Sequence, residues 1–383
     1  MIYLDNAATS FPKPEEVGER MRYYVEQVGA TVNRSSYAAA REAGLTALSL
    51  RERLCRLFSF PHPSHVILTS GATAGLNLLL KGLLRPGDHC IVSAMEHNAV
   101  MRPLVQLERQ GVRFDRAPCG GDGRLVLDAL PCLFRSNTRL VLMAHASNVC
   151  GVLQDARAVG ELCAARGVPF ALDAAQSAGH VPIHFEELKL SALVAPGHKG
   201  LLGPQGIGAA LLSPDLAARL DPLWAGGTGS ASDSEEVPDL LPDRFEPGTP
   251  NLPGIYGWER ALAYLEERGV EALMAHEQAL TARLLAGLPL GPGLRLAGPA
   301  GTENRVGVFS LDFLQMDNAE AAWRLEEEFG VLTRCGLHCA PSAHKVLGTF
   351  PQGSVRLSLG FASTEADVDW ALTALEKILS GTD

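Results

Sequence analysis

Between residues 66 and 212 the chain repeats one pattern. A short apolar run ends in a polar break and gives way to an amphipathic stretch of helical period. The apolar runs fall at 66–69, 89–93, 112–117, 139–144, 168–172, 191–195 and 207–212. Helical stretches are predicted at about 98–110, 124–134 and 155–166, with another helix opening at Ser70-Gly71-Ala72-Thr73. A strand that is apolar along its whole length must bury both faces. Such strands alternating with amphipathic helices predict a mostly parallel sheet covered on each side, an α/β fold.

The flanks complete the layout. Helices are predicted at 15–28 and up to about 58. Residues 224–249 are rich in Gly, Ser, Pro and acids, and a loop of that length is usually functional or interfacial. Beyond it come helices at 255–268 and 270–288, then a strand at 305–313, a helix at 318–329, a strand near 354–359 and a last helix at 364–379. The expected division is a large α/β domain over 15–257 and a smaller C-terminal α+β domain over 258–383, with residues 1–14 packing near the smaller one.

Several function classes are disfavoured at once. A formal charge of −10 argues against a nucleic-acid surface. No apolar run reaches membrane-spanning length. Met1-Ile2-Tyr3-Leu4-Asp5 lacks the basic region and apolar core of a signal peptide. Eight cysteines scattered over 383 residues are expected as reduced thiols of a cytoplasmic enzyme.

In open α/β sheets, ligands bind beyond the carboxyl ends of the strands, and each polar cluster here follows a strand. Ser70-Gly71-Ala72-Thr73 opens a helix whose N–H groups suit a phosphate. Glu96-His97-Asn98, Ser147-Asn148, Asp173-Ala174-Ala175-Gln176 and Gly197-His198-Lys199 follow four further strands. Taken singly, each has an ordinary explanation as a helix cap, a turn former or a solvated turn. Together they supply a phosphate anchor, a ring to stack, an acid for a pyridine nitrogen and an amine that can attack a carbonyl. Those are the needs of a pyridoxal phosphate site.

With these residues, the sequence resembles the class V, fold-type I pyridoxal-phosphate enzymes, and within them the cysteine desulfurases and selenocysteine lyases. Tyr3-Leu4-Asp5-Asn6-Ala7-Ala8-Thr9 and Thr69-Ser70-Gly71-Ala72-Thr73 add to the likeness, which covers nearly the whole chain. The resemblance implies pyridoxal 5'-phosphate as cofactor, anchored on Lys199, which also moves protons at the substrate Cα. Asp173 pairs with the pyridinium nitrogen, Gln176 with the phenolic oxygen, and His97 stacks on the ring and carries protons. Ala72, Thr73 and His198 hold the phosphate. Thr249, in Glu246-Pro247-Gly248-Thr249-Pro250-Asn251, reaches the phosphate of a neighbouring subunit and so implies a homodimer. Arg356 clamps the substrate carboxylate, with Asn148, Arg334 and Asn33 on the substrate side.

Thr333-Arg334-Cys335-Gly336-Leu337-His338-Cys339-Ala340-Pro341 resembles the catalytic-cysteine segment of the short-loop second group of cysteine desulfurases. It implies Cys339 as nucleophile, L-cysteine as substrate and a sulfur-acceptor protein as partner. Alternatives are a selenocysteine lyase acting on L-selenocysteine, another class V lyase or aminotransferase, and a catalytically silent scaffold. No metal site is expected. Three departures stand out: Pro196 where the family commonly has a phosphate-binding serine, Ala74 where a glutamate often follows, and Cys150 in place of an apolar residue.

Overall fold

The computed structural model describes residues 1–32 and 35–381. The chain begins with β1 (Ile2–Tyr3) and then α1 (Glu15–Tyr23). The helix expected over 15–28 is α-helical only to Tyr23, and a π-helical turn follows at Tyr24–Val28. There the Gly29 N–H reaches back five residues to the Tyr24 carbonyl, and the Tyr24 ring settles 4.9 Å from that of Tyr256. Next come α2 (Ala38–Phe58), β2 (Val66–Thr69), α3 (Ala72–Leu83), β3 (His89–Ser93), α4 (Asn98–Glu108) and β4 (Arg113–Ala117). The stretch predicted as a helix at 124–134 is a 3₁₀ segment, Leu127–Leu133, with Pro131 inside it. Proline has no N–H for the α ladder and its ring clashes with the preceding turn.

The alternation resumes with β5 (Thr138–Ala144), α5 (Ala156–Ala165), β6 (Phe170–Asp173), β7 (Ala192–Pro196) and β8 (Gly208–Leu212). These strands form a seven-stranded sheet in the order β2-β8-β7-β6-β5-β3-β4. All pairings are parallel except the two made by β8, which runs antiparallel to β2 and β7. Strand residues alternate between faces. Ile91, Val141, Leu172 and Leu193 join one buried cluster with α2 and α5, whereas Val92, Leu142, Ala171 and Val194 join another with α3 and α4. Burial on both sides is why the runs carry no polar alternation.

After the short α6 (Pro214–Ala217) and the irregular segment comes α7 (Leu252–Arg268). The expected domain division at 257/258 falls within α7, whose Trp258, Leu262 and Leu265 sit in the same cluster as α2 and the sheet. Full burial of a side chain as large as Trp258 stabilises by roughly 3 kcal/mol. Then follow α8 (Val270–Gly287), β9 (Leu294–Ala297), β10 (Val308–Phe313), α9 (Asn318–Glu327), β11 (Val331–Leu332), β12 (Arg334–Gly336), α10 (Pro341–Leu347), β13 (Ser354–Ser358) and α11 (Glu365–Ser380). A four-stranded antiparallel sheet, β12-β13-β10-β9, packs its apolar face on α8, α9 and α11 through Phe309, Leu311, Leu357, Leu284, Leu325 and Leu375. A reciprocal box between Thr364 and Asp367 caps α11. The N-terminus joins this second unit: β1 pairs in parallel with β11, and Leu4 enters its core. Among the described residues, no helix is long and apolar enough to cross a membrane.

Candidate active site

The strand ends of β2, β3, β5, β6 and β7 surround a cavity of about 440 Å³. Its walls include Ala72, Thr73, His97, Asn148, Asp173, Gln176, His198 and Lys199, eight of the residues singled out from sequence. A larger cavity of about 540 Å³ lies between α2 and the 228–250 segment, but no lysine lines it.

Lys199 follows β7 in a turn that needs glycine for close approach. A Cβ on Gly200 would lie 2.4 Å from the Ala178 carbonyl, and one on Gly203 would lie 2.4 Å from the Trp258 ring. Burial lowers the Lys199 amine to about 8; Asp173 opposes the shift, and Arg356 and Arg334 add to it. An amine so lowered is neutral far more often near neutral pH than an ordinary lysine, and the neutral form can attack a carbonyl. Asp173 lies at the end of β6, fully enclosed. Burial raises its carboxyl, while the Ala175 N–H, at 2.9 Å from Oδ1, and the Lys199 charge pull it back down. Gln176 donates from Nε2 to the Ala7 carbonyl at 2.9 Å.

His97 is the N-cap of α4, and its Nδ1 accepts the Ala99 N–H at 3.0 Å. Nδ1 is therefore the unprotonated nitrogen. Burial, then Lys199, Arg334, Arg102 and Arg356, hold this imidazole down to about 4. His198 is likewise lowered to about 4 by burial, Lys199 and Lys13, and its Nδ1 is buried without a protein partner. The α3 N-terminus at Gly71 has no side-chain cap, and Gly71, Ala72 and Thr73 line the cavity.

The remaining predicted residues are not among those that line this cavity. Arg356, on β13, is 1% exposed, with Nη1 on the Asn148 carbonyl at 3.1 Å and Nη2 on Asp5 at 2.6 Å. Its Nε is buried without a protein partner. Arg334 stands opposite Arg356 in the β12–β13 register and is exposed. Cys339 is exposed, and its carbonyl accepts the Asn98 N–H at 2.7 Å, so its turn docks on the start of α4 beside His97. Thr249 lines a separate groove with Ser70 and Gly206. Asn33 lies outside the described residues.

Sequence reasoning assigned no role to Asp5, Ser10, Lys13 or Glu96. Ser10 Oγ donates to the Lys199 carbonyl at 3.0 Å, and Lys13 Nζ donates to the His198 carbonyl at 2.7 Å. Glu96 is buried beneath the rim and accepts the Ala144 N–H from β5; burial raises its carboxyl to about 8. The signal for Lys13 is its position between Pro12 and Pro14, a stiffened segment that places one cation.

The chain is similar to known proteins along nearly its whole length. The aminotransferase class-V family model matches residues 2–370. The chain belongs to that family. A probable cysteine desulfurase of Methanothermobacter thermautotrophicus is 30% identical, over 98% of this chain and 94% of that protein. A cysteine desulfurase of Escherichia coli O139:H28 is 31% identical, over 99% and 93%. The apo cysteine desulfurase of Thermococcus onnurineus NA1 superposes with a TM-score of 0.92 at 28% identity, covering 99% of this chain and 95% of that one. The desulfurase CsdA of Escherichia coli gives 0.88 at 27%, covering 100% and 95%.

Class V enzymes use pyridoxal phosphate, and the residues present fit it. The uncapped α3 terminus and the unpartnered His198 Nδ1 suit a phosphate, Asp173 a pyridinium, and Lys199 an imine. Pro196 lines the same wall and offers neither a hydroxyl nor an N–H to an anion there. Among the described residues, no three His, Cys, Asp or Glu side chains are placed to hold a metal.

Proposed function

We propose that this protein is a pyridoxal-phosphate-dependent cysteine desulfurase that converts L-cysteine to L-alanine and leaves the sulfur as a persulfide on Cys339. The observation that carries the reading is the docking of the Cys339 turn on the first N–H of α4, beside His97 and the lysine-bearing cavity. When bound, the cofactor supplies an electron sink that makes the substrate Cα–H acidic and readies the Cβ–S bond for cleavage.

The chain's own groups do the rest. Lys199 anchors the cofactor and carries a proton to and from the substrate Cα, a task suited to an amine near 8. Asp173 stays ionised opposite the ring nitrogen once a cation faces it. His97 covers the ring, Gln176 meets the phenolic oxygen, and Ala72, Thr73 and His198 hold the phosphate. Arg356, with Arg334 and Asn148 at the same end, receives the substrate carboxylate, since a guanidinium matches that planar anion. The Cys339 thiolate attacks the substrate sulfur. An S–S bond forms, the Cβ–S bond breaks with its electron pair left on carbon, and a proton delivered there completes alanine. The persulfide then passes to an acceptor protein. Thr249 serves the neighbouring subunit's phosphate in a cytoplasmic homodimer.

The test is product analysis of the holoenzyme with L-cysteine, L-selenocysteine and cysteine sulfinate side by side. Alanine with protein-bound sulfur from L-cysteine supports the reading. Activity confined to L-selenocysteine replaces it with a selenocysteine lyase, and no product from any of the three favours a silent scaffold.

A further inference from the structure

Cys339 occupies an unusual backbone. The Ala340 N–H closes a turn onto the Leu337 carbonyl at 2.8 Å, and both central residues, His338 and Cys339, have positive φ, 48° and 57°. Turns of that hand are normally built from Asn, Asp or Gly. A side chain with a Cβ is disfavoured there, so the turn at the nucleophile is not self-supporting.

Hydrogen bonds from three directions hold it. The Asn98 N–H binds the Cys339 carbonyl at 2.7 Å. His338 Nε2 donates to the Ser354 carbonyl on β13 at 3.2 Å. Asn148 Nδ2 donates to the His338 carbonyl at 2.6 Å, between two buried residues. The first bond is main-chain on both sides, and the second comes from within the turn. The third is a side chain from another element that bonds the turn's own main chain, and it comes from a residue that lines the cavity. The Asn148 main-chain carbonyl also receives Arg356 Nη1 at 3.1 Å. One residue thus touches both the arginine that would bind the substrate carboxylate and the turn that carries the thiol.

We propose that Asn148 is the positioning residue of Cys339: its side-chain amide pins the positive-φ turn and ties the nucleophile's placement to Arg356. This goes beyond a contact with the substrate carboxylate, the role expected from the family resemblance. Its kinetic arm rests on the reading of Cys339 as the sulfur-accepting thiol; its structural arm does not.

The experiment uses cofactor-loaded wild type, N148A and N148D. Asn148→Asp keeps size and shape but sets an acceptor against the His338 carbonyl, so it carries the test if the alanine variant folds poorly. Hydrogen exchange over residues 335–340 should quicken about tenfold in each variant, the scale of one buried hydrogen bond. Persulfide formation on Cys339 should fall about tenfold in kcat, a larger effect than any rise in KM for L-cysteine. Unchanged exchange over 335–340 overturns the proposal. So does a raised KM with kcat retained, the signature of a residue that only binds substrate. If wild type forms no persulfide on Cys339, the functional reading fails, and the exchange data still decide the role of Asn148.

Discussion

Arg356 and Asp5 lie 351 residues apart and are joined by a 2.6 Å bond from guanidinium Nη2 to carboxylate Oδ1. The arginine is almost wholly buried. Burial pulls its pKa down, and Asp5 acts against that pull. The N-terminal segment therefore sets the orientation of the group that would receive the substrate carboxylate.

Asp5→Asn keeps the shape and removes the charge. An arginine left buried without its counter-charge should cost about 3 kcal/mol of unfolding free energy. KM for the amino-acid substrate should rise several-fold, because the guanidinium loses its fixed orientation. Denaturant unfolding and steady-state kinetics measure the two effects, and a variant with both values unchanged contradicts the assignment.

Lys13 works from behind the cavity. Its ammonium donates to the carbonyl of His198, the residue before Lys199, and the Thr9 and Ser10 hydroxyls and the Ser10 N–H converge on the same oxygen. Burial lowers Lys13 to about 8. Lys13→Ala should weaken pyridoxal phosphate retention about tenfold, the worth of one charge-assisted hydrogen bond. Equilibrium dialysis followed by absorbance of the bound cofactor reads this directly; unchanged retention would show that the His198–Lys199 peptide needs no such brace.

These contacts mark where sequence reading stops. The rim clusters were legible because each follows an apolar run, and a run buried on both faces belongs to a central strand whose end opens on the rim. Asp173 and Lys199 could be placed that way. The reversed direction of β8 could not, since a short apolar run carries no sign of its polarity. The bonds of Asp5 to Arg356 and Lys13 to His198 join segments 351 and 185 residues apart, and no local pattern encodes them. The positive φ at His338 and Cys339 was hidden for the opposite reason: glycine normally announces such a turn, and here Gly336 stands just outside it.

His180 and Glu277 form a 2.7 Å pair between the β6–β7 connection and α8, and Glu277 also accepts the Gly307 N–H. Burial pulls His180 down, but the charge and hydrogen bond of Glu277 together raise it above its ordinary 6.5. Burial pushes Glu277 up, but His180 and Gly307 hold it below 4.5. The histidine's contribution is full below 6.5 and is lost as pH rises through its raised value. The glutamate's is full above 4.5 and is lost as pH falls through its lowered value. The pair therefore stabilises most between 4.5 and 6.5. Glu277→Gln should cost about 3 kcal/mol within that window and less in alkali. Urea unfolding across the pH range checks it, and a penalty independent of pH contradicts it.

Peptide-mass analysis tests the sulfur-accepting role of Cys339 most directly. Wild-type holoenzyme and Cys339→Ala, each given L-cysteine and then digested, report where the sulfur goes. A one-sulfur mass increase is expected on the peptide carrying Cys339, with alanine released. In Cys339→Ala that adduct should be absent and alanine formation from L-cysteine reduced by at least about a hundredfold. Undiminished alanine and sulfide release from the variant, or the added sulfur on another cysteine, would contradict it.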